Sequence, residues 1–324
     1  ILPNADALFL TAIDPYGHEL WRWTFPVNKL NQQTEQLSPL SSRPAYTETE
    51  NELTVKANKR TFIFSKKDGQ LKGISVDNRK ISFANGPRFI GARRADRSLD
   101  QFYNHDDEKA KEKDRTYSEF PDAAVFTKLD VKEDGGNLVV TANYKLGNLD
   151  KAQWTINPSG ELALDYTYNF SGVVDLMGIR FDYPEDQVIS KRWLGAGPYR
   201  VWQNRIHGTQ YDVWENDYND PIPGETFTYP EFKGYFGDVS WMNIQTKEGT
   251  ISLTNETPDA YIGVYQPRDG RDRLLYTLPE SGISVLNVIP PVRNKVNSTD
   301  LCGPSSQPKW VNGPQTGRVI FRFM

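Results

Sequence analysis

Residues 193–241 read WLGAGPYRVWQNRIHGTQYDVWENDYNDPIPGETFTYPEFKGYFGDVSW and hold four of the chain's eight tryptophans among Gly, Pro, Asp and Asn. That mixture suits a sugar, because indole rings cover the apolar C–H face of a pyranose while amides and carboxylates meet its hydroxyl edges. Trp202 and Trp214 flank His207 in a Gly/Asn-rich loop, which makes them candidates for the surface. Trp193 and Trp241 stand in strand-like contexts and read as core. Asn204 and Arg205 are equipped to bond hydroxyls or carboxylates, or equally to pin loop carbonyls.

Two other chemistries draw on the same region. Asp212, Glu215, Asp217, Asp220 and Glu225 offer the several oxygens that a hard cation needs. Their spacing does not follow the D-x-[DN]-x-[DN]-G loop, so they read as an exposed acidic loop, and no metal or other cofactor is expected. His18, His105 and His207, with Glu231 as a partner, are the groups that acid–base chemistry near neutral pH would use, as in sugar mutarotation. No spacing brings them together, and no catalytic residue is assigned.

These residues need elements to hold them, and the elements read as strands. Residues 8–13 and 20–27 form a hairpin across the turn DPYGHE, with Trp21, Trp23 and Phe25 on one face. Residues 28–50 are polar, rich in Ser, Thr, Gln and Pro and without period, which marks a linker over 31–50. Beyond it, strands are expected at 53–57, 60–65, 71–76, 80–90, 124–131, 138–145, 162–170, 242–254, 260–265, 274–278, 283–289 and 318–323. Residues 91–122 are charged and read as a long loop. No convincing helical period longer than about three turns is present, and no tandem repeat. The fold class is therefore all-β, built as stacked antiparallel sheets.

Composition narrows the partners. The chain has 324 residues, 37% apolar, with a formal charge of -4; its pI is about 5.6 and its mean hydropathy -0.64. There is no basic footprint for nucleic acid and no run of the length of a membrane span. The single cysteine, Cys302, excludes an intrachain disulfide and a cysteine-based metal cluster. The chain starts at Ile1 without an export signal or initiator methionine, so a processed or excised chain is expected.

The segment WLGAGPYRVWQNR resembles the W-L-G-x-G-P…Y-x-x-R run in the last domain of large family 2 β-galactosidases. YPEFKGYFGDVSW is similar to the P-Q-E-x-G-x-(K/R)-x-x-V-R-W run of the same enzymes: Pro230, Glu231, Gly234, Val239 and Trp241 match, while Phe232, Tyr235 and Ser240 depart. DPYGHELWRWTFP resembles the final strands of the immunoglobulin-like domain that precedes that last domain, and LTVKANKRTFIFSKKDGQLKGI its first strands.

The resemblance implies a galactose-mutarotase-like β-supersandwich over 51–324, the linker at 31–50, and the terminal strands of an immunoglobulin-like β-sandwich over 1–30. It also implies a C-terminal piece of a glycoside hydrolase cleaving terminal β-galactosides or related β-glycosides. The two catalytic glutamates would lie on a (β/α)8 barrel outside this chain. Members of the family lend an aromatic residue to the active site from a loop just before the last strand, and CGPSSQPKW places Trp310 there.

The binding residues expected are thus Trp310, Trp202, Trp214, His207, Asn204, Arg205 and Glu231. The expected partners are a β-galactoside or related glycan and the N-terminal catalytic domains of the same polypeptide, with no nucleic acid, no membrane and a homo-oligomer allowed. The resemblance implies a periplasmic or secreted location. A free-standing carbohydrate-binding module and a purely structural assembly domain are the alternative readings.

Overall fold

A computed structural model describes residues 5, 7–27, 42–94, 117–218, 233–265, 278–292 and 304–324. Among them the chain forms strands and short 3-10 turns. In order these are β1 (Ala7–Ile13), β2 (Glu19–Pro26), β3 (Ala45–Glu48), β4 (Glu52–Ala57), β5 (Arg60–Ser65), β6 (Leu71–Val76) and β7 (Arg79–Ile81). There follow β8 (Ala84–Arg94), β9 (Tyr117–Glu119), β10 (Val125–Asp134), β11 (Asn137–Lys145), β12 (Leu149–Ile156), β13 (Leu162–Val174) and β14 (Leu176–Asp182). The last are β15 (Val188–Gly197), β16 (Gln210–Asp217), β17 (Trp241–Thr246), β18 (Gly249–Asn255), β19 (Tyr261–Val264), β20 (Ile283–Val288) and β21 (Lys309–Phe323). No helix among the described residues is long and apolar enough to cross a membrane.

Two antiparallel sheets stack face to face. The nine-stranded sheet runs β10-β11-β12-β13-β21-β18-β17-β15-β16. The ten-stranded sheet runs β19-β20-β14-β8-β6-β5-β4-β3, with β7 on β6 and β9 on β8. Alternation explains the stacking, since each strand turns every second side chain inward. Along β13, Leu162, Leu164, Tyr166 and Tyr168 are buried in the core, while Asn169 lies outside. Between the sheets, Trp154 of β12 meets Phe64 of β5 at 6.0 Å and Phe181 of β14 at 6.1 Å, ring centre to ring centre. Phe181 also meets Phe321 of β21 at 5.4 Å, edge to face. Tilted and edge-on contacts of this kind favour interlocked rings over flat stacks. The all-β expectation therefore holds.

A second, smaller core lies on the outer face of the ten-stranded sheet. Phe89 of β8 points into the main core, whereas Ile90 and Ala92 join Leu176 and Leu286 on the other side. Val201, Trp202, Tyr235, Ile289 and Val292 cover them. This cover comes from the Trp193–Trp241 stretch and from the segment after β20.

Some expected boundaries shift. β3 lies inside the expected linker and pairs with β4 from Ala45↔Lys56 to Glu48↔Leu53; residues 31–41 are outside the described set. The last strand begins at Lys309, not at 318, and pairs with β13 along its whole length from Leu162↔Phe321 to Val174↔Lys309. Pro314 fits inside β21 because β18 reaches only Val319–Phe323, leaving that part of the strand one neighbour and a free side for a residue without N–H. Of the strand expected at 274–278, only residue 278 falls within the described set, outside any strand.

β1 and β2 form their own two-stranded sheet. Their register sets Leu8 opposite Phe25, Leu10 opposite Trp23 and Ala12 opposite Trp21, which gathers one apolar face. Leu8, Leu10, Trp21, Trp23 and Phe25 all remain exposed on it. Arg22, on the opposite face, packs its guanidinium over Phe9 at 5.5 Å and reaches Asp212 of β16 at 3.9 Å.

Candidate functional site

The candidate site is a rim made by residues 198–209, by 289–292 and by the start of β21. Local sequence explains its shape. Residues 201 and 235 exchange two backbone hydrogen bonds, Val201 N–H to Tyr235 O and Tyr235 N–H to Val201 O, both at 2.7 Å. The approach is so close that a Cβ on Gly234 would sit 1.8 Å from the Val201 carbonyl oxygen, so only glycine fits there. The Tyr199 hydroxyl donates to the His207 carbonyl at 3.1 Å, and the Arg205 N–H to the Trp202 carbonyl at 2.8 Å, closing the turn on itself.

Polar side chains then tie this loop to its neighbours. Asn204 uses both ends of its amide on one residue: Nδ2–H donates to the Val292 carbonyl at 2.7 Å, and Oδ1 accepts from the Val292 N–H at 2.9 Å. Gln203 N–H donates to the Pro290 carbonyl at 3.1 Å, and its Nε2–H to the Gln307 carbonyl at 2.7 Å. Gln307 lies three residues before Trp310, so the loop holds the segment that leads into the last strand.

The expected site residues separate on this frame. Trp310 is 72% exposed, the most exposed of the eight tryptophans, and sits opposite Val173 as the second residue of β21. It therefore stands on the strand end and not in the preceding loop. Trp202 was expected at the surface and is 2% exposed. It packs edge-on against Tyr235 at 5.8 Å in the second core, because residues distant in sequence close over it. Its role is to anchor the loop.

Trp214 lies on β16 and not in a loop, and is half-buried. Its indole lies over Gly197, where a Cβ would come within 2.4 Å of the ring, and its Nε1–H donates to the Gln210 carbonyl at 3.2 Å. Asn204 is spent on Val292, which is the pinning role. His207 and Arg205 are exposed. Glu231 lies outside the described residues.

Trp193 and Trp241 are buried, as expected. Trp193 donates from Nε1 to the Ala196 carbonyl at 3.0 Å and meets Phe236 edge-on at 4.9 Å. Trp241 carries the Arg192 guanidinium over its ring at 5.4 Å. Of the acidic cluster, Asp212, Glu215 and Asp217 lie along β16, while Asp220 and Glu225 are outside the described set. Among the described residues no group of three or more His, Cys, Asp or Glu is arranged to hold a metal. His18 bonds Asp14 at 3.0 Å on the hairpin turn, far in sequence from His207, and His105 is outside the described residues.

Sequence reasoning missed Gln203, whose bond to Gln307 links loop and strand, and Tyr199. Neither carries a signal of its own, since both contacts join segments that only the fold brings together.

The arrangement is a two-sheet antiparallel sandwich whose one strongly exposed indole is carried by a braced strand end. Residues 56–290 match the family described as beta galactosidase small chain, and the chain belongs to that family. A search of curated proteins gives no match. Among solved structures, the chain is similar to galactose 1-epimerase from Lactobacillus acidophilus NCFM, at 10% identity over 87% of this chain and 99% of that one, with a TM-score of 0.45. It is also similar to the GalM/aldose epimerase homologue from C. elegans, at 8% identity over 87% and 99%, with a TM-score of 0.40. At these values the likeness carries no functional weight.

Proposed function

We propose that this chain is the carbohydrate-side, C-terminal domain of a family 2 glycoside hydrolase that cleaves terminal β-galactosides. Its catalytic barrel lies outside the chain, and Trp310 is the residue it lends to the sugar site. The observation that carries this reading is the exposure of Trp310 on a segment braced through Gln203 and Gln307, in a member of the beta galactosidase small chain family. A large indole left in water is costly to a domain and useful to a sugar face, where ring stacking adds to area burial. The braced backbone keeps the ring placed before substrate arrives, so little ordering is needed on binding.

The full-length enzyme tests it. Replacing Trp310 by Ala raises KM for a nitrophenyl β-galactoside or lowers kcat/KM by about tenfold or more, an effect of roughly 1.4 kcal/mol or above on the transition state. Trp310→Phe, which keeps an aromatic face, recovers part of the loss. Unchanged kinetics in Trp310→Ala overturn the role. The isolated chain is expected to show no turnover.

A second reading, docking to neighbouring domains, is favoured by the apolar face of β1 and β2. Two strands alone cannot bury Leu8, Leu10, Trp21, Trp23 and Phe25, and a ribbon of this kind needs a sheet to lean on. The two readings are compatible: the ribbon completes an immunoglobulin-like sandwich in the same polypeptide, while the rim faces the glycan.

A further inference from the structure

A pocket of about 570 Å3 opens at the end of the ten-stranded sheet where β8 begins, β14 ends and the segment before β20 crosses them. Its residues are not those of the Trp310 rim. In its wall Arg88 of β8 and Arg180 of β14 stand directly opposite each other across the ladder, on the outer face of the sheet. Like charges opposite one another on neighbouring strands repel, and each here is held by an acceptor. Arg88 pairs with Asp182; Arg180 pairs with Glu119 at 2.8 Å and donates to the Glu280 carbonyl. Asn85 Nδ2–H donates to the second oxygen of Asp182 at 2.9 Å.

Two further observations mark the pocket as more than a surface dent. Tyr265 holds a left-handed backbone at φ +60, uncommon for a bulky residue, and is kept there by its N–H bonding the Gly282 carbonyl at 2.6 Å. Among the described residues, the buried hydroxyls of Tyr265 and Ser281, both lining residues, have no hydrogen-bond partner. Buried polar groups usually have a partner, so hydroxyls left without one are open to a hydrogen bond from a ligand.

The chemistry selects the ligand. The guanidinium groups are matched by Asp182 and Glu119, and Glu185 and Glu280 add negative charge at the wall, so a phosphate or carboxylate gains nothing. A sugar hydroxyl donates and accepts at once, which suits donors and carboxylate acceptors fixed side by side. Tyr183, Tyr265 and Pro184 supply apolar surface for its C–H groups. The volume falls within the range of small-molecule sites. We infer that this pocket is a binding site for an uncharged saccharide unit.

Calorimetric titration of this chain with methyl β-galactoside and methyl β-glucoside, and with inorganic phosphate as the anion probe, tests the inference. At least one glycoside binds in the millimolar range; Arg88→Gln weakens it about tenfold, and Asn85→Gly, which keeps the left-handed backbone at φ +52, weakens it severalfold. Trp310→Ala leaves this binding unchanged, which separates it from the reading of the rim. If Arg88→Gln unfolds, the Asn85→Gly titration and the glycoside-induced shift of the Gly282 amide resonance decide. Flat titrations with both glycosides overturn the inference. So does phosphate binding that displaces them, or binding lost in Trp310→Ala and retained in Asn85→Gly.

Discussion

Trp202 and Trp310 lie on segments joined by the Gln203–Gln307 hydrogen bond, yet one ring is 2% exposed and the other 72%. Both sit in polar surroundings rich in Gly, Ser, Asn or Gln, and nothing within a few residues tells them apart. The difference is made by chain that is distant in sequence. Trp202 is roofed by Tyr235, Ile289 and Val292 over the outer face of the ten-stranded sheet. Trp310 has Val173 opposite it and solvent around it. One tryptophan builds the rim and the other is presented by it, so the same substitution at the two positions should have opposite signatures.

Trp202→Ala should be the most damaging change. It removes a buried indole from a small core and leaves a cavity, costing about 3–5 kcal/mol of stability. Chemical denaturation of the chain measures it. A loss below 1 kcal/mol would mean the second core is not built around this ring.

Gly234→Ala comes next, at roughly 1–3 kcal/mol, since the added carbon meets a carbonyl oxygen and the Val201–Tyr235 pair must part. Its thermal midpoint should fall while Gly313→Ala falls less. Gly313 has a positive φ but open space where a Cβ would go, so only backbone strain opposes the change there.

Asn204→Ala should cost about 1–3 kcal/mol, because it strips the buried Val292 of partners for both its N–H and its carbonyl. Amide exchange at Val292 should quicken with it. Unchanged protection would show that water replaces the side chain, and would move Asn204 from bracing the rim to facing a ligand.

The same contrast explains what was legible in the sequence. Hairpins with a tight turn announced themselves: β5–β6 across KKDG, β10–β11 across EDGG, β17–β18 across KEGT. Strands at the margins did not. β3 is exposed along all four residues, so it carries no alternation and looks like linker. β16 is an edge strand, wet on part of both faces, and its Gln210, Asp212 and Asn216 read as loop. β21 was recognised only in its buried end, since Asn312, Gly313 and Pro314 hide a strand whose partner is β13 alone. For the candidate site, Trp310 is proposed on family resemblance, and the structure adds its exposure. Trp202 was misplaced because burial by non-local residues leaves no local mark.

Trp310→Ala should be the mildest change of all in the isolated chain, within about 0.5 kcal/mol of the parent, as for surface positions free of special contacts. At 72% exposure little buried apolar area is lost on truncation, and the backbone pairing with Val173 and the Gln203 brace do not involve the side chain. A loss comparable to that of Trp202→Ala would mean the ring is covered in solution, as by a second copy. Its exposure would then no longer speak for a sugar. Near-silent stability in the chain, together with impaired kinetics in the whole enzyme, is the signature that only a presented residue gives. Trp202→Ala should show the reverse, stability first and activity only as a consequence.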